Sequence, residues 1–124
     1  MAKQFSECLQ RYRLHEFDPE WGAVLRGIEK ESLRISSEGQ ISLAGHPKAL
    51  GSALTNPYIT TDFSEALLEF ITPALHDIDE CMQVLENIHR FTVQNLENDE
   101  MLWISSMPCP IGAETEIPIA QYLL

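Results

Sequence analysis

The chain has 124 residues, of which 19 are Asp or Glu and 8 are Lys or Arg, a formal charge of −11 with its four His neutral. Such an acidic chain, with an isoelectric point near 4.6, argues against nucleic-acid and anionic-membrane partners, which need clustered Lys and Arg, and suits cations instead. At 44 % apolar and 22 % charged residues it has the composition of one folded domain burying roughly two thirds of its surface, with no run of about 18 apolar residues to span a bilayer.

The opening Met-Ala-Lys-Gln-Phe-Ser-Glu lacks the apolar run and small-residue cleavage site of a signal peptide, so a cytoplasmic protein is expected. Phe5, Cys8 or Leu9, and Tyr12 recur at helical spacing and predict a short amphipathic helix. Asp18-Pro19 ends it, because the residue before proline is pushed out of helical geometry. Residues 24–35 look extended, and Leu33-Arg34-Ile35 followed by Ile41-Ser42-Leu43 predicts a hairpin in which Gly39 supplies a positive φ. Residues 44–57, with His46-Pro47 and Gly51, read as a loop.

Tyr58 to Phe63 is rich in β-branched and aromatic residues and predicts a strand. The next run, Ser64 to Thr72, fits two descriptions. Glu-Ala-Leu-Leu-Glu favours a helix, with Asp62 and Glu65 as a capping box, whereas Phe70-Ile71-Thr72 before Pro73 favours a strand. Asp77 to about Leu96 is the clearest helix, capped by Asp77, with Ile78, Cys81, Met82, Leu85, Ile88 and Thr92 on one face. The remainder, with Pro108, Pro110 and Pro118, is mostly loop with a brief strand near Leu102-Trp103-Ile104.

Two acidic patterns could carry chemistry. In a strand, Glu29 and Glu31 share a face, with Cβ atoms about 7 Å apart. Side-by-side carboxylates repel unless a cation sits between them, as at Mg²⁺ sites. The plain alternative is a solvated strand face. Glu69 lies among Leu67, Leu68, Phe70 and Ile71, where a charge is costly unless paired or metal-bound. It either binds an ion, or reaches water or an arginine such as Arg26 or Arg34. Asp62 and Glu69 have opposite parity, so they face apart in one unbroken strand and together only if a bulge, a turn or a helix intervenes.

Other chemistry is poorly supported. His46, His76 and His89 read as solvated or structural, and no nucleophile triad or phosphate-binding glycine loop is present. Cys8, Cys81 and Cys109 are odd in number and far apart, which points to buried or free thiols, and Cys109 reads as structural.

Five ordered blocks resemble one family: Arg26 to Arg34, Gly45 to Thr55, Ile59 to Pro73, Ser106 to Cys109, and Ala120 to Tyr122. Together they are similar to the amino-terminal part of the proteobacterial type of glutamate–cysteine ligase. The resemblance implies an α+β fold, a partial glutamine-synthetase-like antiparallel sheet with flanking helices, and favours a strand for 67–72. It implies ATP-dependent joining of the glutamate side-chain carboxylate to cysteine, giving γ-glutamylcysteine, with Mg²⁺ or Mn²⁺ and ATP as co-substrate. Carried over by position, Glu29, Glu31, Asp62 and Glu69 match metal ligands, and Phe63 matches a position on the cysteine-binding side.

Family members are several times longer, with the basic residues that hold phosphate and glutamate mainly beyond the stretch matched here. Residues 1–124 are therefore expected to form one incomplete domain with little or no ligase activity alone. The alternative is a non-catalytic metal-binding module that self-associates through exposed sheet edges.

Overall fold

The computed structural model describes residues 2–13 and 24–121. Helix α1 spans Ala2–Arg13. Strand β1 (Glu29–Ile35) is followed by a short 3-10 turn at Lys48–Leu50, strands β2 (Ile59–Asp62) and β3 (Ser64–Ile71), helix α2 (Ile78–Gln94) and the two-residue β4 (Met101–Leu102). The strands form an antiparallel sheet in the order β2-β3-β1-β4.

The ambiguous run is a strand. Alternation decides it: Ala66, Leu68 and Phe70 are fully buried, while Leu67, Glu69 and Ile71 on the opposite face are half-buried. A helix would wind Glu65 and Glu69 onto the apolar stripe. As a strand, the segment sends Leu68 and Phe70 to the core side and Glu69, between Leu67 and Ile71, to the other. The proposed capping box does not exist, since Glu65 is a buried strand residue.

Helix α2 covers the apolar face. Leu85 and Ile88 join Leu50, Ile59, Leu68 and Phe70 in one core, and His89 meets the Phe70 ring edge-on at 4.6 Å between centroids. Asp77 caps the helix as expected, accepting from the amides of Asp79 and Glu80. Cys81 and Thr92 are buried with Leu85 and Ile88, but Ile78 and Met82 of the predicted face remain about half exposed. The helix stops at Gln94, two residues short of the expected end.

Residues 33–43 do not make a full hairpin. Gly39 has φ 79° as predicted, and the turn closes through Ser36 N–H to Gln40 O. Only Ile35 bridges Ile41, because β1 is already paired with β3 on one side and β4 on the other. Helix α1 starts the chain as expected, with Phe5, Leu9 and Cys8 exposed; its predicted stop at Asp18-Pro19 lies outside the described residues. Cys81 and Cys109 are buried, and all three thiols are free. Among the described residues no helix is long and apolar enough to cross a membrane.

Candidate metal centre on the open face of the sheet

Strand parity builds the site. On β1, Glu29 and Glu31 point one way, and Lys30 points the other, its ammonium 5.7 Å from the centre of the Phe70 ring and bonded to Ser32 Oγ. The lysine between the two glutamates therefore does not neutralise them. Partial burial lowers its pKa.

The pairing with β3 places Glu31 directly opposite Glu69, and Glu29 opposite Ile71. On the other side of β3, Thr60 of β2 stands opposite Glu69. Glu29, Glu31, Thr60 and Glu69 thus share the face turned away from α2.

Asp62 joins them through an irregularity. Regular pairing would continue from Thr61↔Leu68, yet Asp62 pairs with Ser64, and the register shifts between Thr61 and Asp62. Phe63 turns the chain with φ 53°, a left-handed conformation that aromatic residues rarely adopt. The parity conflict between Asp62 and Glu69 is resolved by a bulge and turn, one of the routes open from sequence. A carbonyl–amide bond from Ala120 N–H to Phe63 O and a bridge between Ser64 and Ile119 hold this turn in place. The Phe63 ring is 83 % exposed.

The electrostatics follow from that geometry. Glu69 has its carboxyl raised above the usual carboxylate range, first by partial burial and then by the charges of Glu29, Asp62 and Glu31. The other three acidic residues singled out in the sequence therefore act on Glu69, and neither arginine reaches it. Arg26 Nη1 donates to the carbonyls of Val24 and His76. Arg34 lies in the core, with Nη1 on both Glu100 oxygens at 2.8 and 2.9 Å and Nη2 on the carbonyls of Ala44 and Glu65 at 2.8 Å.

The donor set is all oxygen and all anionic, which suits a hard divalent cation such as Mg²⁺ or Mn²⁺. Among the described residues, however, no group of three Asp, Glu, His or Cys side chains is drawn together closely enough to hold an ion as a finished cage. Next to Glu31, a cleft of about 290 Å³ opens between Leu33, Leu67, Trp103, Ser105 and Ser106.

Sequence reasoning missed two supports of this face. Arg34 and Glu100 form a buried ion pair to which the Ser42 hydroxyl also donates. Glu65 accepts from the backbone amides of His46 at 2.8 Å and Gln121 at 2.7 Å, tying two distant segments to β3. Both depend on contacts more than fifteen residues apart, for which no local pattern exists.

Comparison with known proteins agrees with this architecture. The family profile for glutamate-cysteine ligase matches residues 9–123. The chain is 54 % identical over 99 residues to the glutamate–cysteine ligase of Alcanivorax borkumensis, covering 80 % of this chain and 19 % of that protein. It is 58 % identical over 98 residues to that of Pseudomonas fluorescens, covering 79 % and 18 %.

Among solved structures, the glutamate–cysteine ligase of Francisella tularensis in complex with AMP superposes with a TM-score of 0.75 at 41 % identity, covering 79 % of this chain and 20 % of that one. A bifunctional glutathione synthetase from Pasteurella multocida gives a TM-score of 0.77 at 36 % identity, covering 82 % and 14 %. The chain spans about a fifth of the length of the curated relatives it matches. By the extent of the family match and the shared fold, this chain belongs to the glutamate–cysteine ligase family.

Proposed function

We propose that this chain supplies the acidic platform of an ATP-dependent glutamate–cysteine ligase, the part that would carry divalent cations for joining the glutamate side-chain carboxylate to cysteine. The observation that carries this reading is the convergence of Glu29, Glu31, Asp62 and Glu69 on one open sheet face, with the Glu69 carboxyl raised by partial burial and then by the charges of the other three. Four like charges on one surface are costly unless cations share the face.

Glu29, Glu31, Asp62 and Glu69 are the residues that would hold Mg²⁺ or Mn²⁺. Mg²⁺ keeps several of its waters and takes only one or two carboxylates per ion, so a preformed three-donor cage is not required. A bound divalent ion would neutralise phosphate charge, the main requirement of phosphoryl transfer. The chain's own part is to orient: the cross-strand register fixes which carboxylates face one another, and the turn at Phe63 presents its ring beside Asp62, on the side read as cysteine-binding. The cleft beside Glu31 gives substrate a place against that face.

Calorimetric titration of Mn²⁺ into the chain and into Glu29→Gln tests the platform. Saturable heat that weakens in the variant is expected; no saturable heat, or equal heat in both, refutes it. The platform is also expected to show no ordinary turnover by itself, since only 8 Lys and Arg serve the whole chain and Arg34 is sealed in the core. A coupled ADP-release assay with glutamate, cysteine and ATP checks this, and ordinary turnover would contradict it.

A further inference from the structure

Beyond Thr60 at the edge of the acidic face, the loop around the 3-10 turn and the segment at Gln121 border an open cavity of about 370 Å³, lined by His46, Lys48, Gly51, Ser52, Ala53, Leu54 and Gln121. No carboxylate is in this lining, unusual for a chain of net charge −11. Both ring nitrogens of His46 are shut off from solvent and neither makes a well-formed hydrogen bond among the described residues, the Gly51 backbone being the polar group beside the ring. Buried imidazole nitrogens normally have partners, because leaving them unmade costs about 1–3 kcal/mol.

Lys48 also lacks an ion-pair partner among the described residues. The backbone amides of Ser52 and Ala53 have no acceptor there either.

The walls are braced for a fixed shape. The Glu65 carboxylate accepts from His46 N–H and Gln121 N–H, so its own charge is engaged on the two backbones. Thr60 Oγ1 donates to the Ala53 carbonyl at 2.8 Å, and Asn56 Nδ2 to the Leu50 carbonyl at 2.8 Å.

We propose that this cavity is a binding site for a phosphate-type oxyanion, with Lys48 supplying the charge, the Ser52 hydroxyl and the Ser52 and Ala53 amides supplying donors, and the His46 ring lying beside them. A helix dipole is not needed; a lysine with several neutral donors is a common way to hold an oxyanion. The charged groups beside the imidazole are Arg34 and Glu65. Burial and Arg34 lower the His46 pKa, while Glu65 and the Gly51 backbone pull it up. An anion bound beside the ring would raise its pKa.

The site uses none of the four acidic residues of the metal platform, and its test is run without divalent cations so that the two can fail separately. Inorganic phosphate is titrated into the ¹⁵N-labelled chain at constant ionic strength, following the His46 ring and the amides of Gly51, Ser52 and Gln121 by NMR. Saturable shifts confined to these groups, an upward move of the His46 pKa with phosphate, and affinity about tenfold or more weaker in Lys48→Gln are expected. Lys48 is exposed, so this variant keeps the fold. A parallel titration with ADP identifies the source: tighter binding at the same residues points to a nucleotide phosphate, equal binding to free phosphate. Shifts no larger than those from matched sodium chloride, or equal phosphate affinity in Lys48→Gln, would overturn the proposal.

Discussion

Glu31 on β1 and Glu69 on β3 stand directly opposite each other in antiparallel register. Cross-strand partners bring their Cβ atoms to about 5 Å, close enough for like charges to destabilise the pair. Neither arginine that could have neutralised Glu69 does so. The sheet holds this repulsion in its free state, and the Glu69 carboxyl is raised first by partial burial and then by the charges of Glu29, Asp62 and Glu31.

Glu69 therefore makes the fold pH-dependent in a defined sense. Its folded pKa lies above the unfolded value, so the favourable contribution is present at low pH and is lost as pH rises through the folded pKa. Glu69→Gln is expected to raise the urea midpoint at pH 7 and to flatten its dependence between pH 4 and 7. A lower midpoint at pH 7 would show that Glu69 is not under repulsion. Adding Mg²⁺ should stabilise the original chain more than the variant.

The Arg34–Glu100 pair predicts a large one-sided loss. Arg34 is 0 % exposed and ties β1 to Ala44, Glu65 and Glu100. Breaking a buried pair leaves an uncompensated charge and costs about 3–5 kcal/mol. Arg34→Met and Glu100→Gln should each lose stability on this scale in urea denaturation. The double variant should lose less than the sum, and full additivity would show that the two groups do not interact.

Phe63 separates backbone strain from packing. With φ 53° and a ring 83 % exposed, it carries a left-handed cost of about 1 kcal/mol or more without core contacts to offset it. Phe63→Gly should stay within about 0.5 kcal/mol of the original, relief of strain balancing the added chain entropy. Phe63→Val, whose β-branch disfavours this φ, should lose about 1 kcal/mol or more. Equal stabilities for the Gly and Val variants would mean that the turn is not held in this conformation.

Asp77 accepts both Asp79 N–H and Glu80 N–H at the start of α2. Asp77→Ala should cost about 1 kcal/mol, read as a lower urea midpoint with unchanged slope. Asp77→Asn, which keeps the accepting oxygen, should recover most of it.

Much of this was legible because it is local. The α2 cap is written in Asp77-x-x-Glu80, the turn in Gly39, and the shared face of Glu29 and Glu31 in their spacing of two. The predicted hairpin at 33–43 failed for a different reason: its strands read correctly as extended, but which neighbour β1 pairs with is a competition between distant segments. Leu67 to Ile71 packs better across β1 than Ile41 to Leu43 does, since it buries Leu68 and Phe70 beneath α2.

By itself the sequence determined that the chain is acidic, that the carboxylates singled out fall into two groups, and that Glu29 and Glu31 share a face of an extended segment, while the parity of Asp62 and Glu69 stayed open between strand and helix. Only the tertiary structure decided that the groups meet. Parity is set by neighbouring peptide units, whereas the meeting of Glu31 with Glu69 is set by the register between strands some forty residues apart, and that of Asp62 with Glu69 by a bulge and a left-handed Phe63. Register is chosen by whichever alignment buries the apolar face most completely, a choice that involves α2 and the whole core. The same non-local choice placed Arg34 on Glu100 instead of Glu69 and, among the described residues, paired no Lys or Arg with the acidic face.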